Sequence, residues 1–97
     1  MTAPTPAEAA RQLGPRLDPQ GRLMRWPTKL TFQRAAVHYL IAKFEAGREY
    51  SEAQVNEVLD YWATFNDAAL ARRTMIEEHL LSRTTDGARY WVTKDLS

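Results

Sequence analysis

The hydrophobic period of this chain changes once, and that change constrains the fold more than any other feature. Up to His79 the apolar residues recur at helical spacing. Val37, Leu40, Ile41 and Phe44 fall at i, i+3, i+4 and i+7, and Val55, Val58, Leu59 and Trp62 repeat the spacing. After His79 the period is two. Leu81, Arg83, Tyr90 and Val92 belong to two short extended runs flanking Thr85-Asp86-Gly87-Ala88. Asp-Gly between such runs is the strongest short-range hairpin signal. A layer of helices closed by a terminal hairpin is therefore required, and 97 residues hold one such domain.

The boundaries carry their own chemistry. A helix is expected from Thr28 to about Glu45, stopped at Ala46-Gly47. Arg48-Glu49-Tyr50 is too short to be more than a connector or a one-bridge strand. Ser51-Glu52-Ala53-Gln54 is a capping box that opens a second helix, ending near Thr64 to Phe65. Asn66-Asp67 makes a turn, and Asp67 is a good N-cap for a third helix to about Glu78, with Ala71 and Met75 on its apolar side. Upstream, Thr5, Pro6 and Glu8 fit an N-cap, an N1 proline and a capping-box acid. That short helix would stop at Gly14-Pro15. Asp18-Pro19-Gln20-Gly21 reads as a turn, and Arg22 to Trp26 as a short extended piece ended by Pro27. Residues 1–20 are thus a loose N-terminal arm with a short helix, and 21–97 the domain. The fold class is α+β, mainly α: a winged helix-turn-helix-like three-helix domain with a C-terminal β-hairpin wing. In that layout the third helix enters a DNA major groove.

Composition excludes several classes. There is no cysteine, which removes disulfides, Cys-zinc sites, iron–sulfur clusters and Cys nucleophiles, and two histidines do not make a His-rich metal site. Hydrophobic content of 44% and charged content of 26% are globular values. No apolar stretch approaches the ~20 residues that span a bilayer. The start, MTAPTPAEAARQLG, lacks the basic and apolar regions of a secretory signal, so a cytoplasmic location is expected.

The net charge of +1 argues against purely electrostatic nucleic-acid binding, but it is unevenly spread. Residues 11–34 carry six bases against Asp18 alone, residues 35–66 carry two bases against five acids, and residues 67–97 balance. The basic segment offers Arg22, Arg25 and Lys29 as phosphate contacts, or as partners for the acidic second helix. Arg72 and Arg73 sit side by side on the third helix. Adjacent helical residues point about 100° apart, so the two cannot share one role. One could read a guanine edge and the other a phosphate; the alternative is that one pairs with Glu52 or Glu57 and the other is solvated. Arg83 and Arg89 flank the hairpin as wing contacts to phosphate, or as solvated strand residues. Glu77 and Glu78 oppose DNA docking if they face the groove. Tyr50, Trp62 and one of Tyr90 and Trp91 are expected in the core, whereas Trp26 either staples the arm or belongs to a dimer surface. Asn56 and Glu57 lack a nucleophile, metal or phosphate loop beside them, and His38 and His79 lack ligand spacing.

The runs GRLMRWPTK, FEAGREYSEAQVNEVL and LLSRTTDGARYW, with Arg72-Arg73 between the last two, resemble a bacterial family, the domain of unknown function numbered twenty eighty-seven. The resemblance covers about Gly21 to Trp91, and Gly47 to Glu52 followed by Val55-Asn56-Glu57 is its most specific part. Members are sometimes fused behind an ArsR-type helix-turn-helix head, which implies a gene-regulatory setting; the first 20 residues here are too short for such a head. The chain departs from the family pattern at Ala71, where a larger Leu is usual, and at His79, where a Gly is usual. Ala71 implies a thinner contact under the third helix, and His79 a differently built helix exit.

The expected function is DNA binding by a winged helix, as a transcription regulator or regulatory accessory module, with double-stranded DNA as partner. The alternative is a protein–protein interaction module on the same scaffold, with a homodimer or another protein as partner, because a fold fixes geometry and not function. No enzyme activity, cofactor, metal, membrane or small-molecule substrate is expected.

Overall fold

A computed structural model describes residues 3–93; residues 1–2 of the expected arm and 94–97 of the expected domain lie outside the described residues. The element order is α1 (Pro6–Leu13), a 3-10 turn (Gly14–Arg16), α2 (Leu30–Ile41), α3 (Glu52–Trp62), α4 (Ala68–Glu77), β1 (Leu81–Arg83) and β2 (Tyr90–Val92). The fold is α+β and mainly helical, with a winged-helix-like layout. Its three central helices and antiparallel hairpin follow in the order the period change requires.

Three of the four α-helices start at a side-chain cap; α2 starts after Lys29, which makes no capping bond, two residues later than the sequence suggests. The Thr5 hydroxyl accepts from the Glu8 N–H while the Glu8 carboxylate accepts from the Thr5 N–H. Ser51 and Gln54 make the same reciprocal pair on α3, and the Asp67 carboxylate takes the Leu70 N–H on α4. These bonds satisfy donors that a helix cannot satisfy internally. The exit of α4 is a Schellman turn: His79 N–H donates to Ile76 and Leu80 N–H to Met75. His79 holds φ +61° there. It thus supplies the left-handed conformation that glycine favours, and the exit is built in the ordinary way, not the different one expected.

The core runs between α2, α3 and α4 and contains Val37, Leu40, Val55, Leu59, Ala71 and Met75, all fully buried. α2 is buried more widely than its four-residue stripe suggests, because α1 covers a second side of it. Ala9 and Leu13 of α1 are fully buried in the same core as Ala35 and Ala36, and the small side chains let the two helices approach closely. The expected arm is therefore not loose: its helix forms as read, but packs onto α2.

The chain then turns at Asp18, whose carboxylate accepts from the N–H groups of Gln20 and Arg22. Gly21 follows at φ +80°, and its carbonyl accepts from the Tyr39 hydroxyl; a Cβ on Gly21 would lie 2.9 Å from that hydroxyl. Leu23 runs between two strand-like neighbours, antiparallel to Leu17 and parallel to Ala63. Leu23 N–H donates to Trp62 at 2.7 Å, and Thr64 N–H donates to Leu23 at 2.8 Å. That pairing ends α3 at Trp62, two to three residues earlier than its own sequence suggests, because Ala63 is pulled into extended backbone.

The hairpin pairs Leu81 with Val92, Ser82 with Trp91 and Arg83 with Tyr90. Its tip is a loop over residues 84–89, not a two-residue turn. Thr84 organises it: its hydroxyl donates to Asp86 and accepts from the N–H groups of Ala88 and Arg89. Arg48-Glu49-Tyr50 supplies the one-bridge strand, with Tyr50 antiparallel to Tyr90.

Because His79 holds a left-handed φ and is exposed, His79→Gly relieves backbone strain and raises unfolding free energy by about 0.5–1 kcal/mol in urea titrations. Asp18 and Asp86 lie below the usual carboxylate range, Asp18 chiefly through the Arg22 N–H and Asp86 chiefly through the Thr84 hydroxyl and the Ala88 N–H. Their contribution is present above the unfolded pKa and is lost as pH falls through the lowered folded value, so stability drops below about pH 4. Asp18→Asn with Asp86→Asn flattens that acid limb, as measured by thermal melts across the acid range.

Candidate nucleic-acid interface

The seven basic residues singled out from the sequence fall into two groups at opposite ends of α3. At its N-terminal end, α4 and β1 enclose a shallow groove of about 250 Å³ lined by Arg72, Arg73 and Arg83 together with Glu52, Glu77, Ile76 and Tyr90. The structure thus brings three of the seven to one place.

Arg72 and Arg73 divide as adjacent helical residues must. Arg72 turns toward α3: its guanidinium donates to the Asn56 side chain and lies 3.6 Å from Glu52 Oε1, with the side chain only 17% exposed. Glu52 also accepts from the Tyr90 hydroxyl at 3.3 Å. One carboxylate at the start of α3 therefore holds both α4 and β2. Arg73 is exposed on the outer face of α4 and makes no ion pair among the described residues. Glu77, one turn further along that face, is exposed as well. Glu78 points elsewhere, to Arg34 of α2 at 3.4 Å.

On the hairpin, Arg83 is exposed at the end of β1. Arg89 lies on the tip loop, 3.7 Å from Glu49, and both partners are solvent-exposed. Such a surface pair is worth only about 0–1 kcal/mol and is readily exchanged.

Arg22, Arg25 and Lys29 are elsewhere. They belong to the segment that crosses the C-terminal end of α3, fixed there by the Leu23–Trp62 hydrogen bond. Arg22 pairs with Asp18 at 3.2 Å and lies over the Tyr61 ring. Arg25 and Lys29 are exposed. This group does not extend the groove beside the hairpin.

Two arrangements escaped the sequence reading. The Tyr90–Glu52 bond spans 38 residues and has no local signal. The His38 imidazole lies in a groove with Glu8, Arg34 and Glu78; burial lowers its pKa against the opposing pull of Glu78. Glu8 and Gln12 of α1 form one wall of that groove. Among the described residues no three His, Asp or Glu side chains gather into a metal-holding group, and no helix is long and apolar enough to cross a membrane.

Arg72 and Arg73 are separable by stability. Arg72→Ala leaves the Asn56 side-chain oxygen without its partner and Glu52 with Tyr90 alone, and costs about 1–2 kcal/mol in chemical denaturation, whereas Arg73→Ala stays within about 0.5 kcal/mol of the wild type.

The model of a family described as "Uncharacterized protein conserved in bacteria (DUF2087)" matches residues 22–92. No curated protein and no solved structure matches the chain.

Proposed function

The chain belongs to the bacterial family DUF2087, and for this member we propose duplex-DNA binding through α4 and the hairpin, as a regulatory module in a cytoplasmic setting. The observation that carries the reading is the juxtaposition of Arg73 on the outer face of α4 with Arg83 across one groove, with Arg89 on the adjoining tip loop. Guanidinium groups on a helix and on a wing match the geometry by which this layout straddles a major groove and its flanking phosphates. Arg73 takes the phosphate nearest α4. Arg83 and Arg89 take the backbone beside it, Arg89 exchanging its weak contact to Glu49 for phosphate. Arg72 holds α4 at its angle to α3 and does not touch DNA. This is a binding function without a catalytic step.

The reading accommodates the near-neutral total charge only if affinity is modest. Three phosphate contacts give a salt slope near −2.7 for B-DNA, from about 0.9 per contact. Fluorescence anisotropy with a mixed-sequence duplex at about 50 mM salt is expected to show binding that weakens steeply toward about 200 mM. Arg73→Ala and Arg83→Ala each weaken it and reduce the slope by about 1. No binding at the lower salt overturns the reading. The balance of Arg73 by Glu77 on the outer face of α4 favours a protein-adaptor role in that event.

A further inference from the structure

The three large hydrophobic residues exposed among the described residues are Met24 at 43%, Leu30 at 60% and Tyr61 at 60%. They lie on surfaces of opposite charge. Met24 lines a groove of about 450 Å³ with Pro15, Arg16, Arg25, Trp26 and Pro27, and Leu30 begins α2 just beyond it. This surface belongs to the basic segment. After its internal pairs are formed, Arg22 with Asp18 and Arg34 with Glu78, Arg25 and Lys29 remain exposed and without a carboxylate partner among the described residues. Tyr61 instead sits on the acidic helix. Glu57, Asp60 and Tyr61 fall at i, i+3 and i+4 of α3, so they share one face. All three are exposed, and neither acid has an ion-pair partner among the described residues.

The basic groove and the acidic knob are neighbours. Arg22 lies over the Tyr61 ring, Leu23 hydrogen-bonds to Trp62, and Met24 follows at the groove. Within one molecule Arg22 reaches the Tyr61 ring, but Arg25 and Lys29 pair with neither Glu57 nor Asp60. A surface carrying a patch and its complement side by side is what an isologous two-fold interface requires, where each copy gives what the other receives. We propose that this end of the molecule is the interface of a homodimer. Tyr61 of each copy seats in the partner copy's groove beside Met24, and Arg25 and Lys29 face Glu57 and Asp60 across the two-fold axis. An aromatic anchor seated beside Met24, Trp26 and Pro27 and ringed by complementary charge is the composition that carries interface energy. Glu52, which holds the hairpin, is about 14 Å from Tyr61 along α3, so dimerisation leaves the α4–hairpin groove of both copies open. The inference does not rest on DNA binding, and its test contains no DNA.

Sedimentation equilibrium of the full chain, from low-micromolar to near-millimolar protein, reads the mass. The wild type is expected to reach twice 11.1 kDa. Tyr61→Glu and, separately, Arg25→Glu are expected to return it to the monomer mass with unchanged circular dichroism, since both residues are exposed. Arg25→Glu combined with Asp60→Arg restores opposite charges across the axis and is expected to recover the dimer. A monomer at every concentration, a dimer that survives both single substitutions, mass that grows without closing at two, or a double variant that stays monomeric overturns the proposal.

Discussion

The position of the hairpin depends on one reciprocal contact. Tyr50 N–H donates to Tyr90 at 2.8 Å and Tyr90 N–H donates to Tyr50 at 2.7 Å. A hairpin with three-residue strands is marginal by itself, and this bridge gives it a third neighbour drawn from the connector before α3. Both side chains then anchor the bridge. The Tyr50 hydroxyl accepts from the Glu45 N–H, and its ring packs edge-on against Phe44 at 5.2 Å. The Tyr90 hydroxyl reaches Glu52. The end of α2, the start of α3 and the second strand are therefore tied at one place. Since Glu52 also faces Arg72, the angle of α4 is tied there too. The groove that brings Arg73 and Arg83 together exists because these ties hold its two walls.

Charge in this protein is organised by what the fold neutralises. The total of +1 says little, because several arginines serve internal contacts: Arg22 closes the turn at Asp18, Arg34 joins α2 to the end of α4, and Arg72 joins α4 to α3. Lys43 lies over the Tyr39 and Trp62 rings at 4.7 and 4.0 Å and links the ends of α2 and α3. Four of the cations left facing solvent form two sets separated by the length of α3, Arg73 and Arg83 beside the hairpin and Arg25 and Lys29 beside Leu23, while Arg11 stands apart on α1. One scaffold thus presents two cationic surfaces, one beside the hairpin and one at the far end of α3.

Much of the architecture was legible in the residues. Thr5, Ser51 and Asp67 mark helix starts because a cap acts within three residues of itself. Val37 to Phe44 and Val55 to Trp62 mark the core faces because helical periodicity repeats within a few turns. Asp86-Gly87 marks the hairpin tip, and Tyr50 the single bridge. The pair of adjacent arginines also had to split, by the geometry of any helix.

Which arginine turned inward was decided only by packing. Arg72 faces α3 because Asn56 and Glu52 wait there, 16 and 20 residues earlier in the chain, and no short window contains that pairing. Docking of α1 on α2 was equally hidden: Ala9 and Leu13 look like the inner side of any short helix, and Ala35 and Ala36 look like fillers until the two pairs meet. The early end of α3 has the same origin, since Leu23 captures Ala63 from forty residues away. The sequence by itself determined the caps, the periods and the turns, because those are short-range hydrogen bonds and local sterics. The tertiary structure alone decided which polar groups were consumed in holding elements together and which were left facing solvent, because that choice depends on contacts between segments far apart in the chain.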